Sequence, residues 1–179
     1  MTIRSFQNRE PLLGKNVYVD EAAVVIGDVT VGDDASLWPM SVARGDVHKI
    51  VIGSRTNIQD GSVLHVTSDN EFTPGGFCLT VGDDVTVGHG VILHACTIEN
   101  LVLVGMGSTV LDGAVVHSHV MIGAGSLVSP GKELESGFLY LGSPAKKIRP
   151  LKDKERAYLE FSARHYVELK NKHLGVSNL

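Results

Sequence analysis

A period of six residues runs through most of this chain and limits its possible folds more than any other feature. Aliphatic residues recur at every sixth position in three series: Ile52, Ile58 and Leu64; Val81, Val87 and Leu93; and Val104, Val110, Val116, Ile122 and Val128. This period is neither the 3.6 residues of an α-helix nor the two-residue alternation of an ordinary strand. Hexapeptide periodicity is typical of a parallel β-helix.

Each hexad supplies one short strand and a corner, and three hexads complete one coil of a triangular prism. The aliphatic residue points inward, and the small residue that often follows it allows the turn. A less regular start to the pattern runs through Ile26, Val31, Leu37 and Val42. Because one coil leaves its apolar faces uncovered until the next coil stacks on it, such a fold needs many coils. The sequence therefore predicts an all-β fold, a parallel β-helix.

Two segments interrupt the period and define the predicted domain organisation. Residues 68–78 are rich in turn-forming residues and contain no hexad, which predicts a loop protruding from one corner. Gly and Pro are absent from residues 153–173, where apolar residues recur at steps of three and four, so we predict an amphipathic helix. We expect a β-helix domain over 1–150. Residues 151–179 would form a C-terminal helix and tail that pack on the same β-helix or on a neighbouring subunit.

Composition excludes several classes of partner. The chain has 16 Lys and Arg against 20 Asp and Glu, a net charge of −4, and no cluster of basic residues. This balance argues against nucleic acid or an anionic membrane as the main partner. The N-terminus shows no signal peptide, and no apolar run is long enough to span a membrane. The two cysteines, Cys78 and Cys96, lack metal or redox spacing, so we expect reduced thiols and a cytoplasmic protein.

Three histidines form a candidate metal site. Counting hexads in threes makes Leu64 and Leu93 equivalent positions of adjacent coils, and His65 and His94 follow them directly. The two imidazoles should therefore lie on neighbouring rungs, about 4.8 Å apart at the backbone. His89 belongs to another hexad and face, so it cannot easily join the pair within one chain, but it could do so from a second subunit across a threefold axis. Three His ligands leave an open coordination position, as in a catalytic zinc site. The alternative is three unrelated surface or packing histidines, which the stacked register disfavours.

The same residues carry a family resemblance. The stretches Arg44-Gly45-Asp46, Asn57 to His65 (NIQDGSVLH) and Gly88 to Cys96 (GHGVILHAC) resemble the gamma-class carbonic anhydrases, in particular their YrdA-like hexapeptide-repeat branch. The resemblance implies a left-handed parallel β-helix and a homotrimer with metal sites at its subunit interfaces. It also implies that His65, His89 and His94 bind zinc, with iron as the other metal of the family.

Further roles follow from the resemblance alone. It implies hydration of carbon dioxide to bicarbonate, a lyase reaction, in which Gln59 orients the reacting oxygen and Asn57 belongs to the same polar network. Charged pairs across the interface are implied for Arg44, Asp46 and Asp60. Tyr140 corresponds to an active-site tyrosine of the family.

The sequence departs from the family pattern where protons must be carried away. The most active members have a Glu after Arg-Gly-Asp and a second acid in the following loop, whereas Val47 and Ser68 stand at these places here. We therefore expect weak activity. His48 is a candidate relay, because an imidazole has a pKa of about 6.5; the other interpretation is an exposed corner residue.

Two alternative functions remain open. One is a coenzyme-A-dependent acyltransferase or thioesterase-like enzyme on the same fold, which requires only one histidine as base. The other is a non-catalytic metal-binding trimer. The fold itself does not distinguish them, because unrelated functions share it.

Overall fold

The chain winds into a parallel β-solenoid followed by one helix, as the computed structural model describes it for residues 2–175. The parallel β-helix with a C-terminal helix that the sequence predicts is thereby confirmed. The final residues of the predicted tail, 176–179, lie outside the described residues.

The strands are β1 (Ile3–Arg4), β2 (Leu12–Leu13), β3 (Tyr18–Val19), β4 (Val24–Val31), β5 (Ser36–Leu37), β6 (Val42–Ile52), β7 (Asn57–Ile58), β8 (Val63–His65), β9 (Leu79–Val81), β10 (Thr86–Val87), β11 (Ile92–His94), β12 (Thr97–Ile98), β13 (Leu103–Val104), β14 (Thr109–Val110), β15 (Val115–Val116), β16 (Met121–Ile122), β17 (Leu127–Val128), β18 (Glu133–Leu134), β19 (Phe138–Leu141) and β20 (Lys146–Pro150), and the helix is α1 (Asp153–His173).

The strands stack into three faces. We call the face of β8, β11, β14 and β17 the histidine face, and the face of β3, β5, β7, β10, β13, β16 and β19 the helix face. The third face contains β9, β12, β15 and β18. The long strands β4 and β6 turn a corner, so that each belongs to both the histidine face and the third face. All these pairings are parallel, whereas β20 pairs antiparallel with β19.

The hexad residues fill the prism. Every member of the three regular series is at most 1% exposed, and together they form the hydrophobic core. The interpretation of the first coils was wrong by one residue at two positions, because Val25 and Ala43 point inward instead of Ile26 and Val42. At both places two apolar residues stand side by side, so hydrophobicity alone does not indicate which of the two points inward. The six-residue period does indicate it, because Val25 lies six residues before Val31 and Ala43 lies six residues after Leu37.

One corner column joins the helix face to the histidine face. Gly61 and Gly90 adopt left-handed backbone conformations there, and the amide of Gly90 donates to the carbonyl of Asp60 one coil earlier. Glycine suits these turns because it adopts positive φ without a steric penalty. Asp60 and His89 each precede one of these glycines, and are therefore stacked neighbours at the corner.

Helix α1 packs on the helix face of its own chain. Leu159 and Ala163 are buried, and the Tyr166 ring meets Trp38 edge-on with 5.5 Å between ring centroids. At the helix start, the Glu155 carboxylate accepts a hydrogen bond from the backbone N–H of Lys152. Within residues 2–175, no helix has the length and apolar character needed to cross a membrane.

The chain leaves the solenoid between β8 and β9. Thr67 and Phe77 form an isolated antiparallel bridge at the base of this excursion, and Asn70 and Thr73 form another near its tip. Phe72 at the tip is almost fully exposed. This loop follows directly after His65, so its base lies beside the histidine face.

A buried lysine of α1 forms an ion pair with the solenoid. This contact leads to a prediction about the free energy of unfolding. The Lys170 side chain is fully buried, and its Nζ donates to Asp34 Oδ1 at 2.8 Å. Asp34→Asn removes the counter-charge, and Asn tolerates the left-handed backbone found at this position. Because Asp34 is partly exposed, we expect a loss of about 1–3 kcal/mol, below the full cost of breaking a buried pair, measured by urea unfolding.

Asp84→Asn is the matched control. Asp84 has the same left-handed conformation but pairs with the exposed Arg55. Exposed ion pairs contribute at most about 1 kcal/mol. Equal losses in the two variants would contradict the anchoring role of Lys170.

Candidate metal centre

His65 and His94 project from the histidine face side by side. Strands β8 and β11 pair in parallel with His65 opposite His94. Since Leu64 and Leu93 point into the core, the residues that follow them must point outward. The rings lie 5.2 Å apart between centroids, and His65 Nδ1 is 3.2 Å from His94 Nε2.

Each imidazole has a carboxylate on its outer nitrogen. His65 Nε2 lies 3.1 Å from Asp46 Oδ1, and His94 Nδ1 lies 2.6 Å from Asp112 Oδ1. A carboxylate only accepts hydrogen bonds, so each of these ring nitrogens carries the proton. The facing nitrogens, His65 Nδ1 and His94 Nε2, are the ones that lose the proton when the rings are neutral.

Burial and hydrogen bonds shift the pKa values of His65 and of the two aspartates. Burial lowers the pKa of His65 and outweighs the opposing hydrogen bond to Asp46. Burial acts to raise the pKa of Asp46, but the hydrogen bonds from Arg44 and His65 outweigh it and lower that pKa. Asp112 behaves in the same way, with Thr67 and His94 as its donors. These shifts favour a neutral His65 and ionised Asp46 and Asp112 side chains.

This donor set fits a metal ion. The facing nitrogens lie 3.2 Å apart, close enough to share one cation, either a proton or a metal ion. Two nitrogens bound to one tetrahedral zinc at about 2.0–2.1 Å would lie roughly 3.3 Å apart. Carboxylates on the outer nitrogens are also the usual orienting groups of metal-binding histidines. The geometry of the pair therefore fits two adjacent ligands of one ion, and ligation by these histidines stays a prediction.

A single chain does not complete the ligand set. His89 lies at the corner column, where its Nδ1 is 2.9 Å from Asp60 Oδ2 and 49% of its side chain is exposed. Among residues 2–175, no three His, Cys, Asp or Glu side chains are grouped so that they could hold a metal. His89 nevertheless resembles His65 and His94, because an aspartate, Asp60, contacts one of its ring nitrogens and leaves the other ring nitrogen available to a ligand.

The polar residues of the predicted network lie on the helix face. Asn57 and Gln59 are buried, and Gln59 Nε2 donates to Asn57 Oδ1 at 3.0 Å. A pocket of about 430 Å³ opens beside them, lined by residues that include Gln59, His89, Met106 and Tyr166. The pocket thus lies next to the corner that carries His89.

The charged residues have partners within the chain. Arg44 donates to Asp46, which holds His65 in turn, and Asp60 holds His89. Within one chain these contacts orient the candidate ligands, and the pairs across an interface that the resemblance implies for these three residues stay a prediction.

The remaining predicted residues are not gathered at the histidine pair. His48 lines a recess of about 410 Å³ together with Val47 and Asp69, and its Nδ1 accepts from the backbone N–H of Lys49. Tyr140 lies in the hydrophobic core, where its hydroxyl accepts from the backbone N–H of Glu135 at 2.9 Å.

Sequence reasoning missed Asp112 and Thr67. Asp112 follows β14, one coil beyond His94, and Thr67 in the loop after β8 donates to its second oxygen. The register of the coils pairs Leu93 with Val110, so it places Leu111 opposite His94 and Asp112 one residue further along. Counting coils brings this carboxylate near His94 without predicting the contact. The contribution of Thr67 depends on the loop path, which the repeat does not determine.

A parallel β-helix of six-residue repeats defines the class of hexapeptide-repeat proteins, and the comparisons define the family. No protein-family model matches the chain. Protein YrdA of Escherichia coli is 57% identical over 98% of this chain and 96% of its own length. A probable carbonic anhydrase of Methanocaldococcus jannaschii is 42% identical over 88% and 95%. Gamma carbonic anhydrase 2 of Arabidopsis thaliana mitochondria is 44% identical over 96% of this chain, which spans 62% of that protein.

The chain belongs to the gamma-class carbonic anhydrase family, in its YrdA-like branch. A solved structure of similar shape is described as a putative acetyltransferase from Bacillus cereus, with 39% identity, a TM-score of 0.90 and 98% of both chains covered.

The histidine pair yields a prediction on metal content. His65→Ala and His94→Ala should each abolish tight zinc binding, because either change removes one of two converging nitrogens. His117→Ala serves as the control, since His117 instead contacts Glu99, away from the pair. Zinc per chain, measured after dialysis, tests this. A stoichiometry in either mutant equal to that of the control would contradict the site.

Proposed function

We propose that this protein is a zinc-dependent enzyme that hydrates carbon dioxide to bicarbonate, with iron as the other candidate metal. The observation that supports this proposal most directly is the pair of ring nitrogens, His65 Nδ1 and His94 Nε2, which face each other at 3.2 Å with carboxylates behind both rings. Carbonic-anhydrase names among the relatives support the same reaction.

In this reaction some residues would hold the metal and others would orient the reacting oxygen. His65 and His94 of one chain and His89 of a second chain would hold the metal, each oriented by its own aspartate. A zinc ion held by neutral ligands lowers the pKa of a coordinated water from about 15.7 to about 7, which supplies a nucleophile at neutral pH. Gln59, backed by Asn57, would orient that oxygen toward carbon dioxide.

The proposal requires a homotrimer, and exposed apolar residues support one. Val63 and Ile92 project from the histidine face at 39% and 42% exposure, directly before the core residues Leu64 and Leu93. Met106 is exposed at the corner column one coil beyond His89. Contiguous exposed apolar residues often mark a protein interface. Covering them with the corner of a second copy would bring His89 toward the histidine pair.

Acyl transfer is the second candidate function. The Bacillus cereus structure of similar shape is described as a putative acetyltransferase, and the pocket beside Gln59 and His89, at about 430 Å³, exceeds the needs of carbon dioxide. That reaction needs one histidine as base and no metal ligand pair. Hydrolysis or transfer of acetyl-coenzyme A that survives both His65→Ala and His94→Ala would favour it.

Shared sites predict complementation between inactive variants. His89→Ala and His65→Ala should each lose zinc when pure. After subunit exchange, interfaces that combine an intact His89 with an intact His65 and His94 should bind zinc again. Zinc content of the exchanged mixture, compared with unmixed samples treated alike, measures this. Complete absence of zinc after verified exchange would contradict ligation across the interface.

A further prediction concerns the rate. Val47 is exposed and lines a recess with Asp46 and Asp69, without a carboxylate of its own. A positioned proton-transfer group contributes about 10²–10⁴-fold, so Val47→Glu should raise kcat for carbon dioxide hydration by at least about tenfold. Val47→Gln, of the same size without charge, is the control. Stopped-flow measurement on zinc-loaded protein tests both.

Buffer dependence separates the possible proton carriers. Concentrated imidazole should reduce the advantage of Val47→Glu, because the buffer then removes the proton from outside. His48→Ala and Asp69→Asn should lower kcat only if either side chain already serves as relay. Fast wild-type turnover that neither variant nor buffer alters would contradict limitation by proton removal.

A further inference from the structure

A continuous row of buried polar side chains connects helix α1 to Gln59. The row consists of Ser162, Thr86, Asn57 and Gln59, each at most 5% exposed. Thr86 Oγ1 lies 2.9 Å from Ser162 Oγ, Asn57 Nδ2 lies 3.1 Å from Thr86 Oγ1, and Gln59 Nε2 lies 3.0 Å from Asn57 Oδ1. Buried polar groups are costly unless they are hydrogen-bonded, so such a row is held in a defined arrangement.

The backbone carbonyl of Val85 sets the orientation of the Asn57 amide, and with it the direction of the hydrogen bonds to Thr86 and Gln59. A carbonyl only accepts, so the Asn57 group 3.3 Å away must be its NH₂. Its two N–H groups are then used by Val85 and Thr86, and its oxygen faces Gln59. The Thr86 oxygen accepts from Asn57, and either hydroxyl of the Thr86–Ser162 pair can donate to the other.

The same reasoning orients the amide of Gln59. Because Asn57 presents an oxygen, Gln59 must present its NH₂ to it. Within residues 2–175, the only buried side-chain nitrogen or oxygen without a partner is Ser41 Oγ. Gln59 Oε1 has no hydrogen bond in this row, so it must be accessible from the pocket that Gln59 lines with His89.

We propose that Thr86 and Ser162 are positioning residues that fix the Gln59 amide with its Oε1 toward the reacting oxygen. This inference rests on the proposed function, which assigns Gln59 to orienting the nucleophile. An acceptor at this place takes a hydrogen bond from an O–H group, and so favours a water or hydroxide that directs a lone pair at carbon dioxide. Packing of α1 on the helix face thereby becomes a condition for full activity.

The kinetic test compares substitutions that keep or remove the hydroxyl groups. Thr86→Val should lower kcat/KM for carbon dioxide hydration roughly five- to tenfold, the loss expected for about one hydrogen bond. Ser162→Ala should lower it about two- to threefold, since Asn57 keeps its acceptor. Thr86→Ser should remain within about twofold of wild type. Ser108→Ala, which removes a buried hydroxyl bonded to the Gly123 carbonyl outside the row, should do the same.

A second measurement does not depend on catalysis. In zinc-loaded protein, the Gln59 side-chain amide protons should exchange with solvent faster in Thr86→Val than in wild type, Thr86→Ser or Ser108→Ala, at equal zinc content. Unchanged exchange in Thr86→Val, or an equal loss of kcat/KM in Ser108→Ala, would overturn the inference. Absence of carbon dioxide hydration in the wild type would instead overturn the proposed function, and the exchange rates would still decide whether Thr86 positions Gln59.

Discussion

Register between adjacent coils is the constraint on which the rest of this structure depends. Each short strand hydrogen-bonds to the equivalent strand of the next coil, and the aliphatic residues fix that alignment because only they can fill the prism. A shift by one residue would turn every inward residue to the surface. The same alignment places His94 opposite His65 and Asp60 beneath His89. Packing of the core therefore also determines where the backbone places the candidate site residues.

The solenoid and the histidine pair could be predicted from the sequence because the core residues and the candidate site residues follow the same repeat. The six-residue spacing of residues such as Val81, Val87 and Leu93 is enough to predict the solenoid, and the position of each histidine after a leucine is enough to predict the pair. The wrong interpretation at Val25 and Ala43 arose where both neighbours of a step are apolar, so that hydrophobicity does not distinguish inward from outward.

Side-chain partners were less accessible to sequence reasoning. The contact of Thr67 with Asp112 depends on how the loop after β8 returns to the prism, and the row from Ser162 to Gln59 joins residues far apart in the chain. Neither of these contacts can be deduced from the six-residue repeat. Placement of α1 on its own helix face had also been left open, because the amphipathic pattern predicts an apolar face without indicating which surface it meets. Such contacts arise only when separate elements pack together.

Strand β20 has a consequence beyond completing the helix face. Stacked parallel strands leave unpaired N–H and C=O groups on the last rung, and a regular rung would offer them to another solenoid. Here the chain reverses, and an antiparallel strand bearing Lys146, Lys147 and Arg149 and ending in Pro150 occupies that edge. Charge and proline at an edge strand discourage pairing with a further strand. We therefore expect this edge to disfavour end-to-end growth into filaments at the helix face, so that copies of the chain meet through the sides of the prism.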